Sequence, residues 1–324
     1  MRNELVTTTA SQPVTIQDID ILSGAVRDRW AVYISDRSAK TVKTYTTNIM
    51  RFVDFCNDNG FFKPSRETIV AYKVYLEARY KSASTRQAYM NAVRAFFKWA
   101  AGQGYWDNIY TDIKPVRVSD EHKDGYLTTE QAAKVLDTID RSTLTGERDY
   151  ALLCLLLSTG IRQIEAIRAN VGDIKTVGGQ KVLDIQRKGH EDKDNAVPLA
   201  PQAYKALAEY IAARPQASAD SPLFVGHSHS NITETRLVVS NMSRMIRRRL
   251  DEAGFTRAEY KVSGHSTRHT AAMICLELTG NDVLAVKRLL GHRNINTSMK
   301  YLEEKKRTEA HTEQDIANAI FSVA

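Results

Sequence analysis

Cysteine is scarce in this sequence: three in 324 residues, Cys56, Cys154 and Cys275, each among apolar neighbours and far from the others. An odd count at such spacing supports neither a disulfide framework nor a zinc cluster, and it fits a reducing compartment. Long apolar runs are missing too. None approaches the roughly 20 residues that span a bilayer, and the opening MRNELVTTTASQPVT lacks the apolar core of a signal peptide. The chain is therefore expected to stay where it is made, in the cytoplasm, at the nucleoid. With 16 glycines, 7 prolines, no internal repeat and no low-complexity tract, it reads as a globular protein.

Acidic residues are the minority charge, 38 against 45 Lys and Arg, which leaves +7. An excess of that sign favours a polyanionic partner, because each cation near a phosphate releases condensed counterions. A protein that is simply basic is the alternative. What is present is 43% hydrophobic and 26% charged residues, over a length that suits two domains, each with its own core.

Residues 1–15 are polar, Thr-rich and aperiodic, and read as a flexible arm. From 16 to 112 the pattern is helical. Ile19, Leu22, Val26, Trp30 and Tyr33 recur at three- and four-residue steps, as do Val42, Tyr45, Ile49, Phe52 and Cys56 up to a stop at Asn59-Gly60. Ile69, Tyr72 and Leu76 mark a third helix, and Tyr89, Val93, Phe96, Phe97 and Ala100 a fourth, opening after Ser82 and Ser84 and ending near Gly102. The polar faces of this four-helix domain carry Lys40, Lys43, Arg51, Lys81, Arg86, Arg94 and Lys98. Of these, Lys40, Lys43, Arg86 and Arg94 are the candidates for contact with a phosphate backbone, with an ordinary solvated surface as the alternative for each.

Residues 113–125 combine Pro, Gly and clustered charge without apolar period, and read as a linker to a second domain, 126–324. Thr128 and Gln131 stand at capping-box spacing, and an apolar helix runs through Tyr150, Leu153, Leu156 and Leu157 to Gly160. Two β-prone runs, Val182–Gln186 and Ala196–Leu199, flank a polar turn as a hairpin would. Helical patterns return over Tyr204–Ala213, Leu237–Ala253, Thr267–Leu278 and Val283–Leu290, and again from Glu313 to Phe321. The expected class is mainly α with a small β-sheet.

Four clusters in this second half can carry chemistry. Arg162 follows the glycine that ends an apolar helix, with Glu165 three residues on along the same face. Lys188 opens the turn in QRKGHEDKD, where a hairpin tip can bring an ammonium to a substrate oxygen. In GHSTRHT, His265 and Arg268 project from one helical turn, with Ser266 and Thr267 as cap candidates. In LLGHRNINTSMKYL, His292 follows Gly291, and Tyr301 comes nine residues later, within reach across a short turn. Taken singly, an exposed ion pair, a solvated lysine and a half-buried tyrosine are the ordinary readings.

Their order changes that. TGIRQIE, RKGHEDK with NAVPL downstream, HSTRH, LLGH and Tyr301, all in one half of a basic two-domain chain, resemble the tyrosine recombinase (phage integrase) family, in its Xer-like branch. The resemblance spans the catalytic half, and the helical half is similar to the family's core-binding, SAM-like domain. Two departures stand out: Gln163-Ile164 where relatives more often carry a small residue, and LEEKK after Tyr301 without the common histidine.

The resemblance implies a two-domain DNA clamp that cuts and rejoins double-stranded DNA at specific sites, acting as a tetramer, either of this chain alone or together with a related partner recombinase. It implies Tyr301 as nucleophile forming a 3′-phosphotyrosyl bond, and Arg162, Arg268 and His292 as phosphate ligands. His265 would be the base, Lys188 the acid, and Glu165 and His269 supporting groups. No cofactor and no metal is expected, because the carboxylates form no cluster for two ions and the arginines can carry the electrostatic work. The helix from Glu313 to Phe321 is expected to dock on a neighbouring protomer or to fold back on its own. A type IB-like topoisomerase, a catalytically inactive DNA-binding regulator and a metal-dependent nuclease stay open as alternatives.

Overall fold

The computed structural model describes residues 20–118, 125–187, 190–227, 232–309, 316–317 and 320–321. The expected arm at 1–15, residues 119–124 of the expected linker, Lys188 and most of the expected helix from Glu313 to Phe321 lie outside the described residues. The chain divides into two compact units, Met1–Ser119 and Asp120–Ala324.

The first unit is built from α1 (Gly24–Tyr33), α2 (Ala39–Asp58), α3 (Arg66–Arg79) and α4 (Ala83–Gly102). Serine sets most of the starts: the side chains of Ser23, Ser38 and Ser82 accept from the backbone amides of Val26, Thr41 and Thr85. At the end of α2, Gly60 turns the chain with φ +72°. Trp30, Phe52, Tyr72, Phe96 and Phe97 fill the core, and the Phe52 ring meets Tyr72 edge-on at 5.1 Å and Phe97 at 5.8 Å. Each such side chain contributes about 1.5–3 kcal/mol by leaving water. Tyr33 does not share the buried face as its spacing suggests. The helix stops there, the chain leaves the helical path at Ile34 (φ −92°, ψ 5°), and Ile34 is buried while Tyr33 is 53% exposed.

The second unit opens with α5 (Thr129–Asp137), whose Thr128–Gln131 capping box is formed, and α6 (Leu144–Thr159). Apolar on nearly every side, α6 is a central helix, packed against α8 (Pro201–Ala212) and α11 (Ser266–Leu278). It ends at Gly160 in the left-handed region, φ +62°. Only glycine fits there for a second reason: a Cβ would stand 2.6 Å from Leu290 Cδ2.

After the short α7 (Gln163–Arg168) comes an antiparallel sheet of β1 (Ile174–Val177), β2 (Gln180–Ile185) and β3 (Asn195–Pro198), in that order. The expected hairpin is β2–β3, with Leu183 facing Val197. The periodicity of the sequence does not show β1, since three of its four residues are exposed. It likewise does not show the pair β4 (Val225–His227) and β5 (Ile232–Arg236). The remaining helices are α9 (Val239–Glu252), α10 (Arg257–Tyr260), α12 (Val283–Leu290) and α13 (Asn296–Glu309). Tyr301 therefore stands on a helix.

Candidate active site

Three of the sequence-predicted residues, Arg162, His292 and Tyr301, meet around a fourth, Arg268. This side chain leaves the first turn of α11 and is tied down on several sides. Its Nη1 donates to the Gly160 carbonyl at 2.6 Å, and its Nη2 reaches the Leu290 carbonyl at 2.8 Å and His292 Nε2 at 3.1 Å. A further hydrogen bond goes to the Tyr301 hydroxyl. The glycine that ends α6 and the last carbonyl of α12 thus hold the guanidinium, so both LLGH and TGIR act partly through their backbones. Burial, and then the charge of Arg162, pull the Arg268 pKa down to about 10, which still leaves it charged at neutral pH.

Arg162 stands at the N-cap of α7. Its amide donates to Glu165 Oε2 at 2.8 Å and its Nη1 to Glu165 Oε1 at 2.9 Å. Glu165 is fully buried while the Arg162 side chain is 36% exposed, so a buried carboxylate orients a partly exposed guanidinium.

His292 follows the αL turn at Gly291 and is buried, its Nδ1 lying 2.8 Å from Ser298 Oγ. Its ring lies parallel to that of Tyr301 (centroids 6.2 Å apart, 9° between planes). Tyr301 is only 7% exposed and packs with Ala272, Met273, Leu276, Val286 and Leu290. Burial pushes its phenol above the usual tyrosine range, while Arg268 and Arg162 pull the other way, so it is protonated at neutral pH. His269 closes the cluster: its ring lies 5.3 Å from Tyr301 and 5.1 Å from Tyr126, and its Nε2 is 3.0 Å from Glu304 Oε2. Glu304 belongs to the LEEKK segment that follows Tyr301.

His265 is placed differently. It is the exposed N-cap residue of α11, and its amide donates to Ser263 Oγ at 3.1 Å. Ser266 and Thr267 do not cap this helix, contrary to expectation. Both lie inside it, where Ser266 Oγ accepts from the Ser263 amide and the Thr267 hydroxyl donates to the Gly264 carbonyl. Lys188 lies outside the described residues.

Two residues close to Lys188 in sequence, Arg187 and His190, make contacts beside this site that motif reading does not show. Arg187 donates to the Leu290 carbonyl at 3.0 Å and to Asn195 Oδ1 at 3.0 Å. A Cβ on Gly291 would fall 2.1 Å from the Arg187 guanidinium, so the glycine of LLGH makes room for it. On the far side of the turn, His190 contacts Asp194 Oδ2 through Nδ1 at 2.7 Å and Arg293 Nη2 through Nε2 at 2.9 Å. Both described flanks of the hairpin tip are therefore tied to the segment Leu290–Arg293. The departure at Gln163 is also explained: Ser243 on α9 donates to its Oε1 at 2.8 Å, and its Nε2 lies where a Cβ on Gly264 would be, 2.3 Å away.

In the first unit, Lys40, Lys43 and Arg94 are exposed. Arg86 is half-buried and bonds the carbonyls of Tyr80 (2.8 Å) and Lys81 (3.2 Å), so part of its capacity serves the C-terminal end of α3.

The arrangement gathers two guanidiniums, an imidazole and a phenol at one place, which suits an oxyanion developing beside a tyrosine nucleophile. The phage integrase family model matches residues 125–308, and a phage integrase N-terminal SAM-like domain matches 29–107. The tyrosine recombinase XerC of Corynebacterium glutamicum is 30% identical over 82% of this chain and 82% of its own length. Among solved structures, the XerH site-specific recombinase bound to palindromic difH in a post-cleavage complex superposes with a TM-score of 0.71, at 21% identity, over 91% of this chain and 84% of that one. A lambda integrase tetramer bound to a Holliday junction superposes with a TM-score of 0.64, at 16% identity, over 85% of this chain and 75% of that one.

Proposed function

Because this chain belongs to the phage integrase family, we propose that it is a site-specific DNA recombinase whose nucleophile is Tyr301. The observation that carries the assignment of residues is the Arg268 hub, which joins Arg162, His292 and Tyr301 around one guanidinium. Arg162 and Arg268 donate to the non-bridging oxygens of the scissile phosphate and stay charged while doing so. Tyr301 Oη attacks phosphorus, the bond to the 5′-oxygen breaks, and a 3′-phosphotyrosyl ester and a free 5′-hydroxyl result. The ester keeps the energy of the broken linkage, so rejoining needs no ATP. The phenolic proton passes to His265, which shares a helical turn with Arg268, and the 5′-oxygen takes a proton from Lys188, assigned on sequence alone. Glu165 fixes Arg162, and His269 packs its ring against that of Tyr301.

The substrate is double-stranded DNA carrying recombination sites, and the exposed Lys40, Lys43 and Arg94 are phosphate contacts of the first unit, with Arg86 contributing what its carbonyl bonds leave. Four protomers act on two sites, an assembly supported by the tetrameric lambda integrase of similar fold. Dimer resolution or movement of a small mobile element in the cytoplasm is the biological setting. Among the described residues no helix is long and apolar enough to cross a membrane.

The test is covalent trapping. Wild type and Tyr301→Phe are incubated with nicked duplexes bearing candidate sites, in EDTA, and run on a denaturing gel. A protein–DNA band from wild type alone is the expected result. A band that survives in Tyr301→Phe moves the nucleophile elsewhere, and one abolished by EDTA favours a metal-dependent reaction.

A further inference from the structure

A guanidinium has hydrogens to give and no lone pair to offer. The 3.1 Å contact between Arg268 Nη2 and His292 Nε2 therefore makes Nε2 the acceptor. The proton of a neutral His292 then sits on Nδ1, and it is donated to Ser298 Oγ, 2.8 Å away. Both partners are buried, His292 at 9% and Ser298 at 0% exposure, so neither can exchange the other for water without cost.

This state is the opposite of the one the reaction needs. To donate to a phosphate oxygen, His292 must carry a proton on Nε2, and the Arg268–His292 bond must open. We propose that Ser298 is a positioning residue that lets His292 exchange tautomers when the phosphate arrives, an inference that rests on the recombinase reading above. As the Arg268 contact opens, Nε2 gains a proton from water that enters with the phosphate, and Nδ1 loses its own to that water during a transient opening of the Ser298 contact, so the net charge is unchanged. The hydroxyl then faces Nδ1 as a donor where it had been an acceptor, and no buried polar atom is orphaned in either state. The same exchange frees one Arg268 hydrogen and one imidazole hydrogen for the phosphate. Because the Tyr301 ring lies parallel to His292, the exchange takes place against the face of the nucleophile.

The reading makes a hydroxyl at 298 necessary and its size secondary. Ser298→Ala is expected to slow covalent trapping on nicked duplex by about 10- to 100-fold, the range for weakening one transition-state donor, and Ser298→Thr to stay within about threefold of wild type. In a His292→Phe background, Ser298→Ala is expected to cost nothing further, since its effect passes through the imidazole. Histidine 15N spectra of the free full-length protein, with His292 assigned by its loss in His292→Phe, should show a protonated Nδ1 and a bare Nε2. A protonated Nε2 in the free neutral protein overturns the proposal, as does a Ser298→Ala penalty that persists in His292→Phe or is absent altogether. Failure of the recombinase reading looks different: wild type then gives no Tyr301-dependent band, which removes the catalytic half of the proposal, while the spectra still report the resting tautomer.

Discussion

Among the described residues, the buried polar side chains of the first unit are Asn48 and Thr68, whereas the second buries Arg148, Asp149, Glu165, Arg214, His269 and His292. The first unit is held by aromatic packing around Phe52 and Phe96, and among the described residues none of its cations is fully buried. The second keeps charges inside and spends hydrogen-bonding groups to hold them. Asp149 alone takes Arg148, Arg248 and Arg249 within 2.7–3.0 Å. The difference separates two tasks. A surface that tracks phosphates needs only exposed cations on a stiff support, while a site that stabilises a transition state must have its charges oriented, and partly dehydrated, before the substrate comes.

That contrast is broken most severely through the aromatic core. Phe96→Ala should cost about 3–5 kcal/mol by emptying a packed position. The loss should appear in urea unfolding of the first unit, with weaker DNA binding as its consequence. At saturating DNA the rate of covalent trapping should hold. A slower rate at saturation would mean that the first unit does more than carry contacts.

Glu165→Ala tests the other side of the comparison with a smaller effect on stability. It removes the partner of the Arg162 guanidinium and amide together, and because the Arg162 side chain is 36% exposed, water recovers part of the loss. A cost of about 2 kcal/mol is expected, measured by urea denaturation. Trapping at saturating DNA should fall about 100-fold, as for a misaligned transition-state donor. Equal effects of Phe96→Ala and Glu165→Ala on that rate would dissolve the distinction between the units.

The sequence displayed the charged half better than its structural reasons. Arg162, Arg268, His292 and Tyr301 stood out because their residue types and spacing are uncommon together, and helix ends such as Ser82, Asn59-Gly60 and Gly160 could be read from local backbone chemistry. Arg187 was invisible because its value comes from a carbonyl 103 positions away, and a lone arginine beside a lysine looks like surface. Strand β1 was missed because an edge strand with three exposed residues carries no alternation. The cap at Ser266 was misassigned because a serine before an apolar run fits either side of a helix boundary, and only the Ser263–Ser266 contact decides which.

Gly291 is where both kinds of information meet, and it gives the smallest and most discriminating effect. It stands at φ +63°, and a Cβ there would also collide with the Arg187 guanidinium at 2.1 Å. Gly291→Ala therefore combines two costs: about 1 kcal/mol for a side chain in the left-handed region, and the displacement of Arg187 from the Leu290 carbonyl that it shares with Arg268. The second cost disappears if Arg187 is already shortened. In an Arg187→Ala background, Gly291→Ala should keep only the backbone part, about 1 kcal/mol by urea denaturation, and should leave the trapping rate of the single Arg187→Ala variant nearly unchanged. If the two substitutions add in full, Arg187 is not what the glycine makes room for, and the strain at position 291 belongs to the turn alone.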